Sequence, residues 1–413
     1  MDLKMCRLIS RLHILRYIGY IGNRKTLYLH KIQCNMENKS FSLSRIKIKR
    51  LFGNKNIDWK LYQDVNILGG INGSGKSTIL KCVNSILQNE FLEEDTLKLV
   101  DSIELFFAND IVVKWNKFVC NRKEFIPEKY CSYSYSGLNK EGLVTIQKIQ
   151  VEQNGEKIDF EDLKKKLNVY FISTFDTIIL KDVSDILENK DIKTNLDLMI
   201  HNQIVKRNGL IVESVSMYRD EIKKESIDEF AKNYKELFLG KVIDDVLAKK
   251  DINVLTKIND KDKLKQFVLD LFKDEENSVR TFFEEKMREI VKKKVISEIY
   301  EYLDSFFVDK TSIKDTGSFD FLINNSRINY LQLSTGEKQL LYILLVVFNT
   351  NKKTCILLMD EPDLGLHVIW KEKFVSILRK INPNAQIILT THAPSMVRGW
   401  VEHVKEVKQI TVK

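Results

Sequence analysis

Proline is scarce: the 413 residues hold four, and none lies between Pro127 and Pro362. Helices can run through that stretch without interruption, because proline removes a backbone donor and clashes with the preceding turn. No apolar run is long enough to span a bilayer, so no transmembrane helix is expected. The six cysteines, Cys6, Cys34, Cys82, Cys120, Cys131 and Cys355, form no CxxC pair. That argues against zinc and against a disulfide framework, and fits a reducing cytoplasmic setting. Apolar residues make up 44% of the chain and charged residues 30%, enough for a core and for solubility. The length suggests two or three domains.

The net charge of +9 is unevenly spread. Residues 1–35 carry seven Lys or Arg and one Asp, a net +6, which leaves +3 for the other 378 residues. This basic tail reads either as a membrane-surface helix or targeting peptide, or as an extension ahead of a natural start at Met36. Arginines interrupt its apolar region, which makes it a poor signal peptide. The second reading is the simpler one, since Met36-Glu37-Asn38-Lys39-Ser40 is a polar lead into a first strand at Leu43 to Ile48.

Residues 69–78 read GGINGSGKST, directly after the apolar run Val65 to Leu68. Gly70, Gly75, Lys76 and Ser77 fit G-x-x-x-x-G-K-[ST]. In such a loop successive backbone N–H groups surround a β-phosphate, and side chains at Gly70, Gly73 or Gly75 would block that approach. Asn72, Gly73, Ser74, Gly75, Lys76, Ser77 and Thr78 are the candidate cradle. Lys76 would reach the β- and γ-phosphates and Ser77 would offer its hydroxyl to Mg²⁺. A helix at about Ser77 to Leu87 would aim its positive end at the anion. The plain alternative is a glycine-rich turn that happens to contain lysine.

Three further motifs follow in fixed order: LSTGEKQ at 333–339, CILLMDEPDLGLH at 355–367 and IILTTHAP at 387–394. The strand Ile356 to Met359 ends in Asp360-Glu361. Beside a phosphate loop, Asp360 could hold Mg²⁺ through water and Glu361 could act as general base on the attacking water. A solvated acidic turn is the alternative. The strand Ile387 to Leu389 delivers Thr390, Thr391 and His392 to the same edge, where His392 could sense the γ-phosphate. A lone histidine is more often merely packed or exposed.

Together these four motifs resemble the nucleotide-binding domain of ABC-type ATPases, closest to the SMC-like and OLD-like branch. The resemblance covers roughly residues 43–90 and 318–400. It implies that LSTGEKQ is the signature motif, whose Ser334 and Gly336 cap the γ-phosphate held by another subunit. A head-to-tail homodimer or higher homo-oligomer around two ATP molecules follows from that. Thr335 and Glu337 replace the usual transporter residues, as is common in the OLD-like branch. The glutamine of the family's Q-loop has no clear counterpart; the strand Val169 to Asp176 is the nearest candidate.

About 255 residues separate Ser77 from Leu333. Transporter domains place these motifs closer, and SMC arms need heptads sustained over hundreds of residues. Residues 98–155 carry short β-like runs, Ile111-Val112-Val113 and Leu143 to Ile146, that suit an antiparallel flap. From about 177 to 310 the pattern is helical, with helices near 217–239 and 259–274. Its clearest helix spans about Ser278 to Phe307, a rod of roughly 45 Å. Phe283, Met287, Ile290, Val291, Val295, Ile299, Leu303 and Phe306 form one stripe on it. The stripe reads either as a partner surface or as a face buried on its own lobe. Lys164-Lys165-Lys166 and Lys292-Lys293-Lys294 could touch nucleic acid, although such runs are usually solvated faces and no aromatic ladder accompanies them.

The expected fold is α/β: a P-loop ABC-type core of mostly parallel sheet, with an antiparallel β flap and an inserted helical lobe. The expected division is 1–35 extension, 36–176 first core part, 177–312 helical lobe and 313–413 second core part. The function the resemblance implies is an ATP-hydrolysing subunit, using ATP and Mg²⁺, in bacterial antiphage defence. Septu (with an HNH nuclease partner), retron-associated ATPases and PARIS are the nearest kinds, and INPNAQIILTTHAPSMVRGW looks most like the first two. OLD-type nucleases continue into a Toprim nuclease domain, which does not fit after Pro394, so any nuclease effector is expected on a separate chain. The rivals are an SMC-like DNA-repair or chromosome-maintenance ATPase and a non-enzymatic interaction protein. The first lacks sustained arms. The second would have lost Lys76, Asp360 or Glu361, and all three are present.

Overall fold

The structure is a computed structural model that describes residues 41–138, 143–173, 192, 194–222, 298–307, 309–313 and 319–412, with backbone alone at 138 and 211–222. In chain order, β1 (Leu43–Leu51) and β2 (Lys55–Lys60) form a hairpin, and β3 (Val65–Gly69) leads through the glycine loop into α1 (Lys76–Leu87). Next come β4 (Ser102–Phe107), β5 (Ile111–Asn121), β6 (Cys131–Leu138), β7 (Leu143–Gln153), β8 (Glu156–Ile158), β9 (Val169–Ser173) and α2 (Asn195–Ile222). β10 (Thr311–Ser312), β11 (Asp320–Ile323) and β12 (Ser326–Asn329) precede α3 (Thr335–Phe348) and β13 (Cys355–Asp360). The chain closes through α4 (Val368–Ile381), β14 (Ala385–Thr390), β15 (Val404–Glu406) and β16 (Thr411–Val412).

The chain divides into two units, residues 1–180 with 335–413 and residues 181–334. The first unit holds a five-stranded sheet in the order β15-β3-β14-β13-β9. Every pairing in it is parallel. Strands covered on both faces read as continuous apolar runs, and all six residues of both β13 and β14 are buried. The second sheet of this unit has eight strands, β16-β2-β1-β4-β5-β7-β6 with β8 on β7, and its pairings are antiparallel.

This corrects two expectations. The antiparallel part is larger than the parallel sheet, so it is no bordering flap; it takes β1, β2 and β16 from both ends of the chain. The runs at Ile111 and Leu143 extend to eleven-residue strands paired along their whole length. Polar side chains such as Lys114 and Gln150 alternate with Val113 and Ile149, and that alternation hides a half-buried strand from a search for apolar runs.

α1 belongs to both sheets' core. Its Ile79, Leu80, Val83 and Ile86 share one cluster with Ile46, Ile48 and Trp59 on one side and Ile356, Leu358 and Ile388 on the other. One buried amide adds a polar tie. Gln386 Nε2 donates to the Leu43 carbonyl (2.8 Å) and the Tyr62 carbonyl (2.7 Å), while its Oε1 accepts from Leu43 N–H (2.8 Å).

In the second unit, helical residues 298–306 bury Ile299, Leu303 and Phe306 completely. Tyr300 stacks on Phe319 with ring centroids 5.4 Å apart, and Phe307 meets Phe321 at 5.5 Å. Those three stripe residues are therefore buried and offer no exposed partner surface. The stripe's other five residues, Lys292 to Lys294, residues 1–35, the helix at 259–274 and Thr174 to Asp176 lie outside the described residues. So does 223–239 of the earlier helix.

Candidate functional site

β3 ends at Gly69, and the loop turns back on itself to start α1 at Lys76. Gly75 caps the helix with φ 107°, and a Cβ there would come 2.7 Å from the Phe52 ring. The left-handed φ favours glycine there, and the Phe52 ring would have to shift to admit a side chain. Gly70 and Gly73 have more room: a Cβ at Gly73 meets nothing within 4 Å, and one at Gly70 meets Ser74 Oγ at 3.5 Å and the Val407 backbone nitrogen at 4.0 Å. Their backbones still favour glycine, with φ 134° at Gly70 and 73° at Gly73, so a side chain at either would be strained by the chain itself. Ser74 Oγ is buried without a hydrogen-bond partner, and Lys55 Nζ donates to the Ser74 carbonyl at 3.4 Å. Asn72 is exposed at the tip, and Ser77 and Thr78 are half-buried in the first turn of α1.

Lys76 is buried. Its Nζ donates to the carbonyls of Gly70 (3.1 Å) and Ile71 (3.2 Å) and lies 2.8 Å from His392 Nε2. Burial pulls its pKa below the ordinary lysine value, and Glu361 and Asp360 only partly offset that. His392 Nε2 also lies 3.1 Å from Glu361 Oε1. A single ring nitrogen carries either a lone pair for Lys76 or a proton for Glu361, so only one of these contacts is a hydrogen bond at a time.

The acidic pair sits where β13 leaves the sheet. Asp360 is fully buried. Its Oδ1 accepts from Thr390 Oγ1 at 2.7 Å, and that hydroxyl also accepts from Glu361 N–H at 3.0 Å. Glu361 has φ 50°, a left-handed conformation that a non-glycine residue adopts at some cost. Thr391 Oγ1 donates to Asp363 Oδ1 at 2.8 Å, which anchors the loop after β13.

Sequence reasoning brought Lys76, Asp360, Glu361 and His392 to one sheet edge, and the structure places them there. It missed Phe52, Asp363, the anchoring roles of Thr390 and Thr391, and Ser173, the register partner of Asp360 on β9. The Thr-Thr pair preceding His392 was the available signal. The signature motif is split: Ser334 falls in the second unit and Gly336 in the first. Within its unit, Gly336 has a reason of its own to be glycine, since a Cβ there would stand 2.3 Å from the Gly365 carbonyl oxygen.

The donor set fits Mg²⁺. Asp360 Oδ2 is a buried carboxylate oxygen without a hydrogen-bond partner. Among the described residues no cluster of three or more His, Cys, Asp or Glu forms a self-sufficient metal cage. An ion bound through one carboxylate, a loop hydroxyl and phosphates is the manner in which Mg²⁺ is usually held.

A glycine loop between a parallel strand and a helix, faced by an acidic pair and a histidine from neighbouring strand ends, has the make-up of an ABC-type ATPase site. The family described as "AAA domain, putative AbiEii toxin, Type IV TA system" matches residues 247–398. A "Retron Vc95 probable ATPase" of Vibrio cholerae serotype O1 biovar El Tor is 26% identical over 410 residues, covering 92% of this chain and 73% of that protein. A "Septu protein PtuA" of Bacillus thuringiensis is 31% identical over 121 residues, covering 26% of this chain and 30% of that protein. An SMC head domain of Pyrococcus furiosus, solved with an extended coiled coil and bound ScpA, superposes with a TM-score of 0.42 and 14% identity over 88% of this chain and 93% of that one. The chain thus resembles ATPases of the retron and Septu kind in sequence as well as in motifs. Among the described residues no helix is long and apolar enough to cross a membrane.

Proposed function

We propose that this chain binds and hydrolyses ATP, dimerises around it, and regulates a separate effector, a nuclease, in cytoplasmic antiphage defence. The observation that carries the reading is the convergence of Lys76, Glu361 and His392 within hydrogen-bond reach of one another beside the buried, half-satisfied Asp360. Asn72 to Thr78 cradle the phosphates with their backbone N–H groups, and Lys76 exchanges its loop carbonyls for phosphate oxygens. Ser77 and Asp360 hold Mg²⁺, which when bound neutralises charge on the β- and γ-phosphates. Glu361 takes a proton from the attacking water, and His392 hydrogen-bonds the γ-phosphate. Ser334 and Gly336 of a second copy cap that phosphate.

The relatives' names and the resemblance supply the defence setting and the separate effector. The test is nucleic-acid cleavage by this purified chain alone and with the product of the neighbouring gene, each with and without ATP. Cleavage only by the pair is expected. Robust cleavage by the lone chain overturns the two-component reading.

A further inference from the structure

Thr390, Asp360 and Ser173 are register partners on three neighbouring parallel strands, β14, β13 and β9. Register partners project from the same face of a sheet, and neighbouring strands stand about 4.8 Å apart. Asp360 therefore has a hydroxyl residue on either side. The two sides differ. Thr390 Oγ1 is bonded to Asp360 Oδ1. Ser173 Oγ and the other Asp360 oxygen, Oδ2, are both buried, and neither has a hydrogen-bond partner within the protein. Ser173 is only 4% exposed and Asp360 0%. Two buried polar atoms without protein partners on neighbouring strands are unfavourable, and native proteins keep such arrangements where a further group completes them.

We propose that Ser173 is a positioning residue of the Mg²⁺–ATP site, which together with Asp360 holds a water of the ion's hydration shell. This rests on the ATPase reading above. A water bound to Mg²⁺ has its lone pair committed and two protons to donate. Asp360 Oδ2 and Ser173 Oγ are two acceptors from adjacent strands that can take one proton each. Mg²⁺ sheds its waters reluctantly, so residues that orient those waters tune its affinity without touching the ion. The sequence singled out the stretch from Val169 to Asp176 only as the nearest candidate for the Q-loop region, and this gives Ser173, the last residue of its strand, a specific role.

The experiment is equilibrium binding of a fluorescent ATP analogue to the full chain, titrated with Mg²⁺ and repeated in EDTA. Ser173→Ala is expected to lose about tenfold in Mg²⁺ affinity. Its binding in EDTA and its melting temperature should match wild type, because the hydroxyl makes no bond within the protein. Ser173→Thr keeps the hydroxyl and should restore the Mg²⁺ dependence. Wild-type Mg²⁺ dependence in Ser173→Ala would overturn the assignment while leaving the ATPase reading intact. An equal loss with and without Mg²⁺, accompanied by a lower melting temperature, would mark Ser173 as merely structural and overturn it too. Failure of the wild-type chain to bind the nucleotide under any condition would overturn both.

Discussion

Glu361 leaves its strand with a left-handed backbone, and that turn is what brings a carboxylate to His392 instead of back into the sheet. Glu361→Gln keeps the backbone N–H that bonds Thr390 and keeps the shape, but it removes the base. Single-turnover kinetics should find ATP bound and hydrolysis slowed by about 10²–10⁴. Lys76→Ala should instead weaken nucleotide binding. Unchanged turnover in Glu361→Gln would remove Glu361 as the base. Gly336 makes a separate prediction. Alanine there drives a methyl into the Gly365 carbonyl, so Gly336→Ala should destabilise the protein by about 1–3 kcal/mol in denaturant titrations without nucleotide. If its only duty were toward a second copy's phosphate, stability would not change. At this scale the sequence was legible where the chemistry demands one residue type at a fixed offset from a strand end, as with Lys76, Asp360 and His392. It was opaque for Thr390 and Ser173, because hydroxyls at strand ends are common and only pairing across strands reveals what they face.

Elements built from continuous apolar residues were read correctly from sequence. β3, β13 and β14 are buried on both faces and differ from the expected spans by at most two residues at either end. The antiparallel strands were cut short because polar residues interrupt their apolar ones, as Lys114 does in β5 and Gln147 and Lys148 do in β7. Gln386 lies in the middle of this comparison, a polar residue in an otherwise apolar run, and it bonds two carbonyls and one N–H from outside its own sheet. Gln386→Leu should cost about 1–3 kcal/mol in equilibrium unfolding, since those groups lose their partner without gaining water. No loss would mean that β1 and β14 are joined by apolar packing alone. The outer edge of the antiparallel sheet carries a pH-dependent tie. Glu128 accepts from Lys148 at 2.6 Å and from Lys157, and these bonds hold its carboxyl at about 2 against an ordinary value of 4.5. A lowered carboxylate pKa stabilises the fold above about pH 4.5, and that contribution disappears as pH falls toward about 2. Melting curves across this window should be steeper for wild type than for Glu128→Gln. The difference should be small and should shrink in salt, because the side chain is largely exposed.

At the scale of the whole molecule, the decisive prediction concerns two copies. If Ser334 completes the site of a neighbour, then inactive Ser334→Arg and inactive Lys76→Ala proteins, mixed with the first in excess, should recover part of the hydrolysis. One composite site per mixed dimer would then be intact. No recovery despite demonstrated exchange of subunits would count against the trans arrangement. That the core is assembled from both ends of the chain was legible, because the motifs lie at both ends. The order of its strands was not, since parallel pairing is non-local and leaves no trace in local periodicity. That order, β15-β3-β14-β13-β9, has a consequence for synthesis. β3 and β9 emerge first from the ribosome, yet each pairs in this sheet only with strands made later. A message cut short anywhere before Ala385 would yield a glycine loop whose strand has no neighbour in this sheet. The candidate site can be completed only after β14 and His392 have been made, long after its glycine loop.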